Sequence, residues 1–269
     1  MPELPEIASR ACEMQAALVG KTIHSFEILQ PKCLNIPAED FSTCLAGATL
    51  EAASHHGKWI ICETTQGYVL INLGMGGEIL LRETGNPPKK YRLSIGFQDG
   101  TRLFINFWWF GYVHFVATGM LSTHSMTSKL GPDALEITEA EFTRRLRLKN
   151  TAVKTFLLDQ KNLAGIGNAY IHDILFLARV HPLRKASGLD GEESHRLYTS
   201  IRNSLQSSFE KKGAFYEVDL QGKPGGFQEK DILIGYREGK PCPECGSAIQ
   251  KLRTGSTTSF ICPSCQLIS

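Results

Sequence analysis

The chain begins Met1-Pro2-Glu3-Leu4-Pro5-Glu6, and the reading of these six residues governs that of the remainder. With Met1 removed, Pro2 carries a free secondary amine, a nucleophile able to form a Schiff base with a sugar aldehyde carbon. Proline suits the first turn of a helix, where its missing N–H would have no intrahelical partner. Glu3 and Glu6 are spaced to share one helix face beside the terminus. Two acids next to an amine can manage protons while carbon–nitrogen and carbon–oxygen bonds break. The same six residues also read as an ordinary helix start, with Pro favoured by φ and Glu by the helix dipole.

Outward from this stretch, residues 3–19 show helical spacing of Leu4, Ile7, Ala8, Ala11, Met14 and Leu18, with Gly20 as a stop. A β-rich stretch follows. Thr22–Gln30, Lys58–Thr64, Tyr68–Leu73, Glu78–Arg82, Tyr91–Gln98, Thr101–Phe107 and Tyr112–Ala117 are short runs rich in β-branched and aromatic residues, and Asp99-Gly100 marks a hairpin. Such strands predict a β-sandwich, and the first domain is placed at 1–128. Gly131 and Pro132 make 129–136 a hinge. Thr138 followed by Glu141 has the form of a capping box, and helices are expected over 139–148, 151–159, 168–179 and 190–212 within a second domain, 137–231. Residues 213–231, rich in Gly and poor in apolar anchors, read as a flexible loop, either plain surface or a cap over a pocket. Residues 232–269 form a separate metal module.

The 269 residues suit one large or two ordinary domains, and 42% hydrophobic residues suffice for a sizeable core. No run of 18 uncharged apolar residues is present, which excludes a membrane-spanning helix. Acidic Glu3 and Glu6 stand where a signal peptide would be basic, so a cytoplasmic protein is expected. The net charge of +2 announces no polyanionic partner, but basic residues are concentrated in the C-terminal half, 19 in 136–269 against 10 in 1–135. Cys12, Cys33, Cys44 and Cys62 lie among apolar residues and read as small core side chains.

The remaining cysteines are Cys242-Pro243-Glu244-Cys245 and Cys262-Pro263-Ser264-Cys265. Two CxxC pairs at this spacing supply four thiolates in a tetrahedron, the pattern of one structural zinc ion; two disulfides or a redox pair are the alternatives. Four thiolates leave no open coordination position, so the ion folds the module. Gly165-Ile166-Gly167-Asn168 lies between two predicted helices. Its glycines allow close backbone approach, and the next helix offers free N–H groups to a phosphate; a plain helix–helix turn is the alternative.

The opening hexapeptide resembles that of formamidopyrimidine-DNA glycosylases and the related endonuclease VIII enzymes. The resemblance extends through Leu157–Asn168, Tyr170, Asp173 and His181-Pro182-Leu183, similar to the family's helix–two-turn–helix element, to the zinc hairpin. It implies an α+β architecture: an N-terminal β-sandwich with an N-terminal helix, then a helical domain and a four-cysteine zinc hairpin. It implies catalytic roles for Pro2, Glu3, Glu6 and Lys58, of which Lys58 assists elimination. It implies DNA-backbone contacts by Asn168, Lys149 and Lys154. Leu73-Gly74-Met75-Gly76-Gly77 resembles the loop whose Met enters the space left by an everted base, and an unbranched apolar side chain suits that wedge.

Departures from the family pattern are equally specific. Asn72 replaces a usual His. The Asp-Pro-Arg-Arg-Phe-Gly wedge loop becomes Asn106-Phe107-Trp108-Trp109-Phe110-Gly111, so Trp108 and Phe110 are the candidates to stack on bases beside Met75. Thr257 occupies the place of the hairpin Arg, and Phe215-Tyr216-Glu217-Val218-Asp219 does not match the usual base-capping loop. The expectation is a monomeric, nucleoid-associated glycosylase and abasic-site lyase acting on damaged, double-stranded DNA. The alternatives are a DNA-damage-binding protein without chemistry, favoured by these departures, and a zinc-ribbon module unrelated to DNA.

Overall fold

The computed structural model describes residues 1–269 except Thr84, Trp109, Ser256 and Ser269. The described chain forms two compact units, Met1–Lys129 with Lys211–Gly226, and Leu130–Glu210 with Phe227–Ser269.

In the first unit, helix α1 (Leu4–Leu18) leads into β1 (Ile23–Ile28), α2 (Ala38–Leu45) and strands β2 (Leu50–His56), β3 (Trp59–Thr64), β4 (Gly67–Asn72), β5 (Glu78–Glu83), β6 (Leu93–Phe97), β7 (Thr101–Asn106) and β8 (Tyr112–Val116). Two antiparallel sheets result, ordered β1-β6-β7-β5 and β2-β3-β4-β8. Their inner faces share one core with α1: Ile7, Met14 and Leu18 meet Leu50, Ile60 and Ile71 of one sheet and Ile79, Leu93 and Ile105 of the other. The sandwich is thus the expected one, and the Asp99-Gly100 hairpin forms with Gly100 at φ 83 and Thr101 N donating to Asp99 Oδ1 at 2.9 Å.

Two elements escape the sequence pattern. Strand β2, Leu-Glu-Ala-Ala-Ser-His-His, has little intrinsic strand preference; it forms because it pairs with β3 from Leu50↔Thr64 to His56↔Trp59 across a turn at Gly57, φ 56. Helix α2 is short, and burial of Phe41 and Leu45 holds it on the same core. Of the four scattered cysteines, Cys33 and Cys62 are buried as expected, but Cys12 lies on the exposed face of α1 and Cys44 is only partly covered.

The sequence pattern places residues 211–226 within the second domain, 137–231. The segment instead returns to the sandwich, for identifiable reasons. Leu220 enters the first core at 1% exposure, Leu81 N donates to Leu220 O at 2.8 Å, and Leu220 N donates to Glu13 Oε2 at 3.0 Å. Few apolar residues mark the segment because one well-placed leucine and a set of backbone hydrogen bonds hold it.

The second unit packs α3 (Glu139–Arg147), α4 (Val153–Leu158), α5 (Ile171–Leu177) and α6 (Gly191–Glu210) before the hairpin β9 (Gln250–Thr254) and β10 (Thr257–Ile261). Phe142, Phe156, Leu157, Ile171, Ile174, Leu197 and Leu205 are fully buried. Thr138 caps α3 by accepting from Glu141 N at 3.4 Å, whereas the Glu141 carboxylate turns outward to Arg144 and Arg145 at 2.6–2.8 Å.

Leu220→Ala is expected to destabilise the protein by about 2–4 kcal/mol, the range for a truncated core leucine, measured by urea unfolding. A change within about 0.5 kcal/mol, the range for surface positions, would show that 211–226 is not part of the first core.

Candidate active site and metal centre

Helix α1 begins at Leu4, so Pro2 precedes the helix and Pro5 takes the first-turn position expected of it. Glu3 is the N-cap residue, and its side chain accepts from the Glu6 backbone while Glu3 N donates to Glu6 Oε2 at 2.8 Å. This reciprocal cap uses two carboxylates, and both are buried, Glu3 at 3% and Glu6 at 4% exposure. Glu6 Oε1 also accepts from Ala214 N at 3.0 Å, and a Cβ at Gly213 (φ +90) would stand 2.8 Å from Glu6 Cγ. With a backbone N–H on each oxygen, Glu6 is a strut that orients the terminus.

Lys58 follows the β2–β3 turn, where a charged residue ordinarily faces solvent. Here it is buried at 8% exposure. Burial lowers its pKa, and the carboxylates of Glu3 and Glu6 oppose that shift. The first unit therefore brings Lys58 close to the carboxylates of Glu3 and Glu6, with Pro2 next to Glu3 in the chain. Asn72 ties this strand end to the neighbouring loop: its Nδ2 donates to Lys58 O at 3.0 Å, and Gly74 N donates to its Oδ1 at 3.1 Å.

That loop carries Met75, which projects outward at 51% exposure beside Trp108 at 64% and Phe110 at 74%. Trp108 N donates to Met75 O at 2.9 Å, and the indole lies so close to Gly76 that a Cβ there would meet it at 2.7 Å. Phe110 has φ 56, a strained value for a residue with a bulky side chain. Its neighbour Trp109 lies outside the described residues.

In the sequence Glu217 stands out only as an acid in an atypical loop. Its side chain is 12% exposed and Oε1 lies 3.9 Å from the terminal amine of Met1. Burial pushes its carboxyl up to about 7, with Glu6 and Glu3 adding to the rise and the amine and Arg10 opposing it.

In the second unit the three predicted phosphate contacts differ. Asn168 is exposed on the Gly165–Asn168 turn, whose shape is set by Gln160: Gly165 N donates to Oε1 at 2.9 Å and Nε2 donates to Ile166 O at 2.9 Å. Lys149 is exposed after α3. Lys154, in contrast, is 3% exposed, and its Nζ donates to Thr258 O at 2.5 Å, Ser259 Oγ at 2.9 Å and Thr254 Oγ1 at 3.2 Å. Burial lowers its pKa to about 8. The lysine expected on a DNA phosphate is thus spent on the β9–β10 hairpin, which three polar acceptors make the lower-energy place for a desolvated ammonium. It stands with Thr257 and Asp159 at the wall of an open groove of about 510 Å³.

The Sγ atoms of Cys242, Cys245, Cys262 and Cys265 lie within 4.8 Å of one another, with 3.9 Å between Cys242 and Cys265 and 3.4 Å between Cys245 and Cys262. Four sulfurs around one zinc at about 2.3 Å stand about 3.8 Å apart, so the donor set fits a single structural zinc ion. The knuckles are fastened to α5 twice. Phe176 packs with Ile234, Ile249 and Phe260, and the buried Asp173 carboxylate accepts from Leu233, Ile234 and Gly235 N at 2.8–2.9 Å.

One zinc per chain is expected by atomic emission, and its release by a mercurial should lower the melting temperature; a metal content near zero in active protein would contradict the assignment. Glu217 generates a pH prediction. Its folded pKa lies above the unfolded carboxyl value, so the native state holds the proton more tightly and stability falls as pH rises through about 4.5 to 7. Glu217→Gln should therefore raise stability at pH 8 by up to about 3 kcal/mol, with the gain vanishing toward pH 4 in unfolding titrations. Equal gain at both pH values would refute it.

Comparison with known proteins agrees with this geometry. Residues 1–113 match the formamidopyrimidine-DNA glycosylase N-terminal domain, residues 130–218 the H2TH domain of the same enzymes, and residues 239–268 the zinc finger found in FPG and IleRS. The chain is 33% identical to formamidopyrimidine-DNA glycosylase of Pelotomaculum thermopropionicum, covering 100% of both chains, and 34% identical to that of Bacillus subtilis, covering 99% of both. Among solved structures, Lactococcus lactis Fpg in complex with abasic-site DNA superposes with a TM-score of 0.91 at 27% identity, covering 98% of this chain and 99% of that one. The chain belongs to the formamidopyrimidine-DNA glycosylase family.

Proposed function

We propose that this DNA glycosylase excises damaged bases from double-stranded DNA and then cleaves the strand at the abasic site, with the Pro2 nitrogen, freed by removal of Met1, as nucleophile. The observation that carries the reading is the burial of Glu3, Glu6 and Lys58 around the start of α1. Ionisable groups gathered away from water cost stability, and such clusters occur where protons are moved.

The chemistry follows from the placement of each group. The target nucleotide is everted, since C1′ is not reachable inside the stack, and damage lowers the few kcal/mol this requires. Met75, Trp108 and Phe110, exposed on neighbouring loops, fill the gap with apolar and aromatic surface. The neutral Pro2 amine attacks C1′, and the base leaves with the electron pair of the glycosidic bond. Opening of the sugar ring transfers a proton to O4′, a task for Glu3, and yields the iminium. Lys58 then assists elimination of the phosphate; its lowered pKa makes the neutral, proton-accepting amine more accessible near neutral pH. Lys149 and Asn168 contact the DNA backbone from the second unit, while Lys154 acts indirectly by holding the hairpin. The chemistry requires one chain only, since that chain carries every group named.

Duplex oligonucleotides carrying different damaged bases, with a plain abasic duplex as control, test the reading. At least one lesion should be released in a single turnover, and Glu3→Gln should slow that release about 10²- to 10⁴-fold with the Kd for an abasic-analogue duplex little changed. Tight damage-dependent binding by the wild type without base release or strand cleavage would favour the non-catalytic alternative.

A further inference from the structure

The segment 211–226 brings one more acid to the terminus than the proposed mechanism uses. The Glu217 backbone is fixed by two hydrogen bonds, its N donating to Ala214 O and its O accepting from Gly225 N, each at 2.9 Å. Ala214 is itself held by Glu6 Oε1 and Leu220 by Glu13 Oε2, each at 3.0 Å. The side chain is therefore aimed by a segment bound at both ends to α1. The charged groups facing it are the terminal amine, Glu3, Glu6 and Arg10, with Lys58 close to both glutamates and Arg10 also paired to Glu13. Glu6 accepts a backbone N–H on each carboxylate oxygen, and Glu3 accepts one as the helix cap. No hydrogen bond from the described residues reaches the Glu217 carboxylate, whose partner is the amine at 3.9 Å.

We propose that Glu217 is the base that takes the proton which the Pro2 ammonium must lose before its nitrogen can attack C1′. The inference rests on the reading of Pro2 as the nucleophile. Removal of Met1 moves the amine to the Pro2 nitrogen, at most one residue's length, about 3.8 Å, from the amine that stands 3.9 Å from Glu217 Oε1. The role requires that nitrogen to lie within reach of the carboxylate, directly or through one water. The protons balance. The secondary ammonium carries two; one passes to Glu217, and the neutral nitrogen forms its bond to C1′ as the bond from C1′ to the base breaks. The second proton then leaves the nitrogen and neutralises the departing base anion. On an abasic site the same amine adds to the C1′ aldehyde and water departs. Burial lifts the Glu217 carboxyl toward neutral pH, which suits a base working there.

The test measures the rate of borohydride-trapped adduct formation with an abasic duplex between pH 5.5 and 9, for wild type, Glu217→Gln and Glu217→Asp. The wild type should lose rate as pH falls through about 7, where Glu217 becomes protonated. Glu217→Gln should form adduct more slowly at pH 6.5, by up to about 30-fold, the deficit of neutral amine for an ordinary α-amino group at that pH, with its acid limb moved upward toward ionisation of the amine itself. Glu217→Asp should restore an acid limb near that of the wild type. Thermal melting and Kd for a tetrahydrofuran-containing duplex show that the variants fold and bind. An unchanged or faster Glu217→Gln profile, in the presence of a wild-type adduct, would overturn the role of Glu217 alone. Absence of any wild-type adduct from protein with a verified Pro2 terminus would overturn both this role and the nucleophile on which it depends.

Discussion

A helix cap made of two carboxylates organises this molecule. Ordinary N-caps use a neutral Ser, Thr or Asn, or one exposed acid; here Glu3 and Glu6 bond each other's backbone, and both are removed from water. The helix dipole and the capped N–H groups make the burial tolerable, and Lys58 supplies a buried positive charge close to both carboxylates. The cap fixes where the chain begins. Pro2 lies immediately before it, so its nitrogen is held by the same hydrogen bonds that start α1. The return of 211–226 completes the arrangement, because Glu6 spends its second oxygen on Ala214. One set of hydrogen bonds thus starts the helix, anchors a distant segment and positions an amine.

The second unit shows a comparable economy around the metal. Zinc joins the two knuckles, Asp173 bonds three consecutive backbone N–H groups ahead of them, and Lys154 crosses from α4 to the hairpin. Each is a buried polar connection that is costly to break. Lys154 would serve a phosphate only by leaving three acceptors, and Thr257 brings no charge to the same groove.

Much of this was legible in the sequence, for reasons that can be named. The CxxC pairs encode their chemistry in spacing, and the alternating strands encode their buried faces. The hexapeptide brought Pro2, Glu3 and Glu6 to one place because helical spacing is local. What escaped was decided by contacts between residues far apart in the chain. Strand β2 has no strand-like composition and depends on β3 for its existence. Residues 211–226 look like a loop because few of their side chains are buried, Leu220 and Ala214 among them, and backbone hydrogen bonds do the rest. Pro5, not Pro2, occupies the helical turn, since Glu3 serves as the cap and the helix starts at Leu4. Lys154 reads as a solvated lysine until its acceptors, a hundred residues onward, fold beside it.

The central claim is that the secondary nitrogen of Pro2 becomes bonded to the sugar. Peptide mapping of the borohydride-reduced adduct tests it most directly. After nuclease and trypsin digestion, mass spectrometry should find the sugar remnant on the peptide Pro2–Arg10, attached at its first residue. A remnant on a peptide containing Lys58, or on any other lysine, would contradict the account.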